Sequence, residues 1–440
     1  MCCGNWRGRR NAVFQLAAQR PATIRALSVT LEESATAILA MTAPYGRDLF
    51  ISEYCIFFAL YTGIVLPLCF LGYGSDNDTY GILDAGLSTW RDGHPMTSRN
   101  PGYWLYEALV YGVGHLGGSI ATNIASMCAG AFILWRFIVL CRKIGIRHEY
   151  LLASCVLFVP TFLIAASSTM DYLWSIAFLI AAAELLLDSR LALASIAGAM
   201  AIGFRASNSL VLAGAYAGLL LYGFSDGWKL PKVARVVISG LVAAFLGALF
   251  FLPSWVLAHH TMAFLTPGIG PAAMWTMKMH VGRFIYKMIY LFGPIATCIL
   301  LFLLACNLKP PKFSSMNANA GKGFAIFLGA FGGNIVIFAK FPLEVSYLLP
   351  GMVFFLLVAG ISFLSSSRMG IVASLCGIVV FNFFSVSLAK PNIPLHATDA
   401  KLTLSPRSGV LVEDIRIRLK AKRCDSVPCW AKYAQEQPEL

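Results

Sequence analysis

Long apolar segments follow one another along most of this chain, and they constrain its fold more than any other feature. A helix needs about 20 mostly apolar residues to cross a bilayer. Windows of roughly this length recur from residue 49 to residue 389, separated by short polar connections. The sequence therefore predicts an all-α, polytopic transmembrane protein with about 11 spans: 49–72, 118–141, 150–168, 171–187, 191–206, 208–224, 235–258, 284–306, 323–340, 345–365 and 370–389.

The composition agrees with a membrane location. Of the 440 residues, 58% are hydrophobic and only 12% are charged, and the mean hydropathy of +0.71 lies far outside the range of soluble domains. The net charge of +13 is explained by the Lys and Arg residues that membrane proteins collect in cytoplasmic loops. Since no soluble segment combines a basic patch with interleaved aromatic residues, the sequence predicts the lipid bilayer as a partner and no nucleic acid.

The distribution of Lys and Arg also predicts the topology. Basic residues gather at every second connection, which the positive-inside rule assigns to the cytoplasm: Arg142, Lys143, Arg147, Arg190, Lys229, Lys232, Arg235, Lys309, Lys312, Lys322 and Arg368. An odd number of spans then places the C-terminus outside, where an oxidising compartment would permit a disulfide between Cys424 and Cys429. Three regions follow: a cytoplasmic arm at 1–47, with Met41 as an alternative start, a transmembrane domain at 48–389 and a short extracytoplasmic tail at 390–440.

The first extracytoplasmic loop, 73–117, is dominated by the polar stretch from Gly74 to Tyr106. This stretch combines acidic and aromatic residues in a chain that is otherwise poor in charge. Asp76 and Asp78 are two residues apart, and such a carboxylate pair can serve as a general base, a metal ligand or a clamp for a cation. The alternative is that they are solvated residues at the start of a helix, for which Asp78 or Thr79 is a suitable N-cap.

The loop also carries a family pattern. It contains Asp76-Asn77-Asp78-Thr79-Tyr80, then a helix, Arg99, and Pro101-Gly102-Tyr103 running into a span. This order resembles the first periplasmic loop of membrane glycosyltransferases of the GT-C fold. The resemblance is to the branch of the protein mannosyltransferases and the lipid A aminoarabinose transferase.

Two further segments resemble the same family. They are Gly203–Ser207, which contains Arg205, and Phe341–Pro350, which contains Glu344 and Tyr347. The chain departs from the family pattern at Asn77, where the second acid is usual, and at Ser346, where Arg is common. Asp78 can stand in for the missing acid.

The resemblance implies a GT-C architecture and a polyprenyl-phosphate sugar donor, with a lipid, glycan or protein as acceptor. It also implies an active site that faces the periplasm of a bacterial inner membrane. In this pattern Asp76 is the general base, because the acceptor hydroxyl must lose its proton as it attacks the anomeric carbon. The predicted catalytic residues are therefore Asp76 and Asp78.

Cations on the outer side suit the departing phosphate. Arg283 and Lys287 share a helix face, four residues apart, although a basic helix at the membrane interface would show the same spacing. The predicted substrate-binding residues are Tyr80, Arg99, Tyr103, Arg205, Lys278, Arg283, Lys287, Glu344 and Tyr347.

No set of residues has the spacing of a metal site, and a requirement for a divalent cation stays open. His259-His260 lacks a third ligand, and the glycines of 329–333 predict close helix packing within a span. Two other functions remain. A transporter or flippase of lipid-linked glycans would place charges within its spans, as at Glu184. A membrane acyltransferase or glycan polymerase would centre on a histidine such as His94 or His115.

Overall fold

The computed structural model describes residues 44–93, 96–98, 102–257, 277–306, 318–364, 367–387 and 405–421. The chain separates into two compact units, Met1–Leu60 and Tyr61–Leu440. The described residues of the first unit belong to helix α1, Pro44–Leu68. Most of the predicted arm at 1–47 and the predicted Cys424–Cys429 disulfide lie outside the described residues.

The second unit is built almost entirely from helices joined by short connections. In chain order the elements are α2 (Asn77–Trp90), α3 (Trp104–Ile144), α4 (Glu149–Phe158), α5 (Pro160–Ala166), α6 (Tyr172–Leu187), α7 (Leu191–Phe204), α8 (Asn208–Ser225), α9 (Leu230–Leu249), α10 (Leu252–Leu257), α11 (Met277–Phe292), α12 (Pro294–Cys306), α13 (Ala318–Lys340), a 3-10 turn (Val345–Leu348), α14 (Leu349–Ser362), α15 (Arg368–Phe383), β1 (Phe384–Ser387), β2 (Ser405–Ser408) and α16 (Val410–Ala421). The predicted all-α membrane class is confirmed, apart from a two-stranded sheet that the sequence pattern did not predict.

Several of these helices are suited to a bilayer. Among the described residues, five helices are long and apolar enough to cross a membrane, and two bent pairs bring the number to as many as seven. Shorter apolar helices are Glu53–Leu68, Tyr172–Leu187, Leu191–Phe204 and Arg368–Phe383. Each predicted span falls mainly on one of these helices or pairs, whereas the number that cross the bilayer stays a prediction.

Glycine and proline account for the breaks in the helices. Helix α3 is kinked at Gly117 and Gly118, and Gly118 has a positive φ of 58° that an L side chain rarely adopts. Helices α4 and α5 meet at 76°, where Pro160 opens the second helix without a backbone N–H donor. Helices α11 and α12 meet at 93° across Gly293, with Pro294 following. The kink in α3 coincides with the predicted end of the first loop at residue 117.

Helices α8 and α13 pack closely against each other through glycine residues. A Cβ atom added at Gly329 would lie only 2.1 Å from the carbonyl oxygen of Gly214, and one at Gly333 would lie 2.2 Å from that of Leu210. The two backbones can approach this closely only because these positions have no side chain. The prediction of close helix packing in 329–333 is confirmed for Gly329 and Gly333, whereas Gly332 has open space beside it.

The chain after α15 leaves the helical pattern. Strands β1 and β2 pair antiparallel, with Phe384 opposite Ser408 and Ser387 opposite Ser405. The predicted last span, 370–389, therefore ends at Phe383, where the backbone becomes extended. Helix α16 follows β2 and packs against α15 and α5.

Candidate functional site

The site begins with the N-cap of α2. The helix starts at Asn77, so Asp76 is its N-cap residue. The sequence had suggested Asp78 or Thr79 for this position, and that prediction is wrong by two or three residues. Asp76 has an extended backbone, and its Oδ1 accepts a hydrogen bond from the backbone N–H of Asp78 at 2.9 Å. A carboxylate at this position satisfies a helix donor and lies where the helix dipole favours negative charge.

A third carboxylate joins this pair from a distant part of the chain. Asp76, Asp78 and Glu344 each place a carboxylate oxygen within 4.8 Å of the others, and all three residues are partly buried. Glu344 has an extended backbone and immediately precedes the 3-10 turn. Its Oε2 accepts a hydrogen bond from the Tyr172 hydroxyl at 2.6 Å. These three carboxylates are called the acidic cluster below.

The acidic cluster concentrates negative charge. Two unit charges 4.8 Å apart repel each other by on the order of 3 kcal/mol at an effective dielectric constant of about 20. Lys287 on α11 lies close enough to Glu344 for the carboxylate to act on its ammonium group, and Arg283 lies near Lys287. The helix face that bears both cations therefore borders the acidic cluster and offsets part of its charge.

A buried ion pair between Arg205 and Asp171 packs against the ring of Tyr172. Arg205, which caps the C-terminus of α7, donates from Nη1 to Oδ1 of Asp171 at 2.9 Å. Its guanidinium group lies 4.1 Å from the ring centre of Tyr172 and 4.5 Å from that of Tyr347. The Asp171 carboxylate and the faces of the two tyrosine rings therefore compensate the buried charge of the guanidinium group.

Part of this arginine has no hydrogen bond. Arg205 Nη2 is buried and has no hydrogen-bond partner among the residues that the structure describes. Tyr103, the N-cap residue of α3, lies within electrostatic range of Arg205 and packs its ring against Phe251. The predicted residues Arg205, Tyr103 and Tyr347 thus meet around one buried cation.

An apolar cavity of about 360 Å³ is lined in part by residues that neighbour the two cations along α11. It lies between α11, α12, α13 and α14, and its walls are apolar except for one threonine. Phe284 and Met288 of α11 line it and directly follow Arg283 and Lys287 in the sequence. Leu348, at the end of the 3-10 turn, also lines it. The two cations and one wall of the cavity therefore belong to the same stretch of α11.

Three predicted residues lie elsewhere or cannot be placed. Tyr80 lies near Tyr73 and Arg418, and burial raises the pKa of its hydroxyl while Arg418 lowers it. Lys278 is exposed near the start of α11, more than two helical turns before Lys287. Arg99 lies outside the described residues.

Sequence reasoning missed several residues of the site. Asp171 and Tyr172 begin the predicted span 171–187, directly after the polar run Ser167–Met170. Glu107 is buried, and its Oε1 accepts hydrogen bonds from Ser98 N at 3.0 Å and from Ser98 Oγ at 2.5 Å. The sequence feature that could have identified Glu107 is its position as an acid at the start of a long apolar helix.

A polar network on α3 supports the same region. Asn123 is fully buried and donates to the carbonyl oxygens of Cys69 and Gly72 at 3.0 and 2.7 Å. Its Oδ1 accepts from the Thr169 hydroxyl at 2.9 Å. One amide group thus joins the segment before Asp76 to the segment before Asp171.

Comparisons with known proteins add no further identification. No family model, no curated protein and no solved structure matches this chain.

Proposed function

We propose that this protein is a membrane glycosyltransferase of GT-C architecture. It moves a sugar from a polyprenyl-phosphate donor to a lipid, glycan or protein acceptor on the periplasmic side of a bacterial inner membrane. The observation that carries the proposal is that α11 carries Lys287 beside the acidic cluster and, next to its two cations in the sequence, side chains that line the apolar cavity. These three environments match the three chemical parts of the reaction.

The donor is an amphiphile, and the site has a region suited to each end. The apolar cavity accommodates part of an isoprenoid chain, because its walls offer apolar contact and almost no polar groups. Arg283 and Lys287, which directly precede the cavity-lining Phe284 and Met288, stabilise the phosphate. Arg205 Nη2, which lacks a partner among the described residues, is suited to an oxygen of the phosphate or of the sugar.

The acidic cluster supplies the base. Asp76 takes the proton of the acceptor hydroxyl as its oxygen forms a bond to the anomeric carbon. The bond between that carbon and the phosphate oxygen breaks, and polyprenyl phosphate leaves with the bonding electrons. Glu344, oriented by the Tyr172 hydroxyl, and Asp78 hold the acceptor or a divalent cation that offsets the charge of the cluster.

The test is the Asp76→Asn variant in the purified protein, reconstituted in vesicles with a labelled donor. We expect release of polyprenyl phosphate to fall by at least about 100-fold, the usual contribution of a general base. Asp84→Asn is the matched control, because Asp84 is an exposed acid on the same helix. Full turnover by Asp76→Asn would rule out the proposed base, and activity that survives complete chelation would rule out the divalent cation.

A transporter or flippase of lipid-linked glycans is the second candidate. The observation in its favour is Glu184, which is buried within α6 and pairs with Arg136 and Lys143 of α3. Lys143 also pairs with Asp188, just beyond the end of α6, so this network lies at the end of the helix. The same vesicles distinguish the two functions, since a flippase moves the intact donor across the bilayer and releases no polyprenyl phosphate.

A further inference from the structure

The C-terminal helix α16 contains a fully buried arginine. The Arg418 side chain has 0% of its surface exposed and pairs with Asp414, one turn earlier, at 2.8 Å. It donates from Nη1 to the carbonyl oxygen of Ser167 at 2.8 Å and from Nη2 to that of Ile164 at 3.3 Å. Since a buried charge is costly unless it is paired and hydrogen-bonded, this contact depends on each of those partners.

Asp414 connects α16 to a second segment. Its Oδ1 accepts a hydrogen bond from the Ser75 hydroxyl, although the two residues are 339 positions apart in the chain. Ser75 directly precedes Asp76, the proposed base. The pair of Asp414 and Arg418 therefore contacts both the segment that ends in Asp76 and the segment that leads to Asp171.

These two segments also pack on each other. The backbone N–H of Thr169 donates to the carbonyl oxygen of Tyr73 at 2.7 Å. The Thr79 hydroxyl lies 3.1 Å from the sulfur of Met170. Gly74 has a φ of 143°, and a Cβ there would lie 3.0 Å from that of Ser168. A shift of either segment would therefore shift the other.

We infer that Ser75, Asp414 and Arg418 form a latch through which α16 positions the proposed base. Helix α16 has only 12 residues, a length at which an isolated helix is marginal in water, so its placement depends on these buried contacts. With the latch closed, Asp76 stays beside Glu344, and Asp171 stays beside Arg205. Arg418 and Asp414 are positioning residues that act through Ser75 and the carbonyl groups. The catalytic consequence rests on the proposed function, whereas the structural one does not.

The structural test compares Arg418→Met with Arg416→Met in the full-length protein. Arg416 is the matched control, because its side chain is 61% exposed on the same helix and pairs only loosely with Glu413, at 3.7 Å. Hydrogen–deuterium exchange is followed in peptides that cover residues 69–80 and 164–171. We expect exchange in both peptides to become at least about tenfold faster in Arg418→Met, because charged hydrogen bonds are lost. Arg416→Met should match the wild type, and so should peptides from α8 and α13 in every variant.

Two results would overturn the latch. One is unchanged exchange in both peptides of Arg418→Met. The other is faster exchange throughout the chain, including α8 and α13, which would make Arg418 a general anchor of the fold. Should Arg418→Met fail to fold, the same exchange experiment on Ser75→Ala tests the latch, because this variant removes only the hydrogen bond between Ser75 and Asp414 of α16. Faster exchange confined to residues 69–80 supports the latch, and unchanged exchange refutes it.

The activity test separates positioning from general stability. In Arg418→Met we expect the rate of polyprenyl phosphate release to fall at least about tenfold while the KM for the donor stays within about twofold, since the cationic face and the cavity are untouched. Arg418→Lys keeps the charge next to Asp414 but has no fork to reach both carbonyl groups, so an intermediate rate is expected. If the wild-type protein has no transferase activity, the proposed function is refuted. The hydrogen–deuterium exchange experiment then tests by itself whether Ser75, Asp414 and Arg418 form the latch.

Discussion

The ion pair of Asp171 and Arg205 allows the energetics of the site to be tested without a substrate. Both side chains are almost fully buried, at 0% and 3% exposed. Removing one partner of a buried pair leaves the other charge uncompensated, which costs about 3–5 kcal/mol. Arg205→Met also loses the contacts with Tyr172 and Tyr347, at about 0.5–2 kcal/mol each. We therefore expect Asp171→Asn to lower the free energy of unfolding by about 3–5 kcal/mol and Arg205→Met by somewhat more.

The double variant is the informative measurement. When both charges are removed, no buried charge is left unpaired, so the combined loss should be smaller than the sum of the single losses by at least about 2 kcal/mol. The free energies are measured by titrating the purified protein with SDS in mixed micelles and following tryptophan fluorescence. The three variants and the wild type form one double-mutant cycle.

An exposed pair of the same residue types serves as the control. Arg91 and Asp92 lie 2.7 Å apart, but their side chains are 59% and 43% exposed, and such pairs contribute less than about 1 kcal/mol. The same cycle with Arg91→Met and Asp92→Asn should show a coupling below about 1 kcal/mol. Losses at Asp171 and Arg205 that add to within about 0.5 kcal/mol would refute the argument, because they would show that neither charge depends on the other.

Three further outcomes are expected. Gly329→Ala should lower the free energy of unfolding by about 1–3 kcal/mol, because the added Cβ would meet a carbonyl oxygen of α8. Gly332 has open space beside it, so Gly332→Ala should be neutral or slightly stabilising. Equal stabilities of the two variants in thermal unfolding would contradict the close contact. Met352 lines the apolar cavity, and Met352→Trp should narrow it. In the vesicle assay the KM for the donor should rise at least about tenfold while kcat stays unchanged. A lower kcat with an unchanged KM would argue that the cavity does not bind the isoprenoid chain. Glu344→Gln keeps the shape of the side chain but removes one charge from the acidic cluster, so release of polyprenyl phosphate should fall by about 100-fold; unchanged release would exclude Glu344 from the site.

Much of the architecture was predictable because a bilayer imposes a simple rule on the sequence. Apolar windows of about 20 residues can hardly become anything but helices, and each predicted span does fall mainly on one helix or one bent pair of helices. The two-stranded sheet was not predictable, since strands of four residues carry too few positions to show an alternating pattern. The bends at Pro160 and Gly293 were not predicted either, although both residue types mark such breaks.

The site was predictable only in part. The spacing of Asp76 and Asp78 drew attention to both residues, and the family resemblance added Glu344, which the structure places beside them. Arg418 was not predictable as a buried residue, because a basic residue in a polar tail ordinarily faces solvent. Its burial depends on Asp414 of its own helix and on the carbonyl groups of Ser167 and Ile164, which lie 251 and 254 positions earlier in the chain and which no local pattern reveals. Tyr172 was not predicted either, because its hydrogen-bond partner Glu344 is 172 positions away in the chain.

The pairing of β1 with β2 brings together the two points between which residues 388–404 run. Ser387 and Ser405 are opposite each other in the ladder, so an insertion between them starts and ends at neighbouring positions of the fold. The entropy of closing such a loop grows only slowly with its length. An epitope or a small fluorescent domain placed there would leave α16 seated, and antibody or quencher access to it would report which side of the membrane this face of the protein occupies.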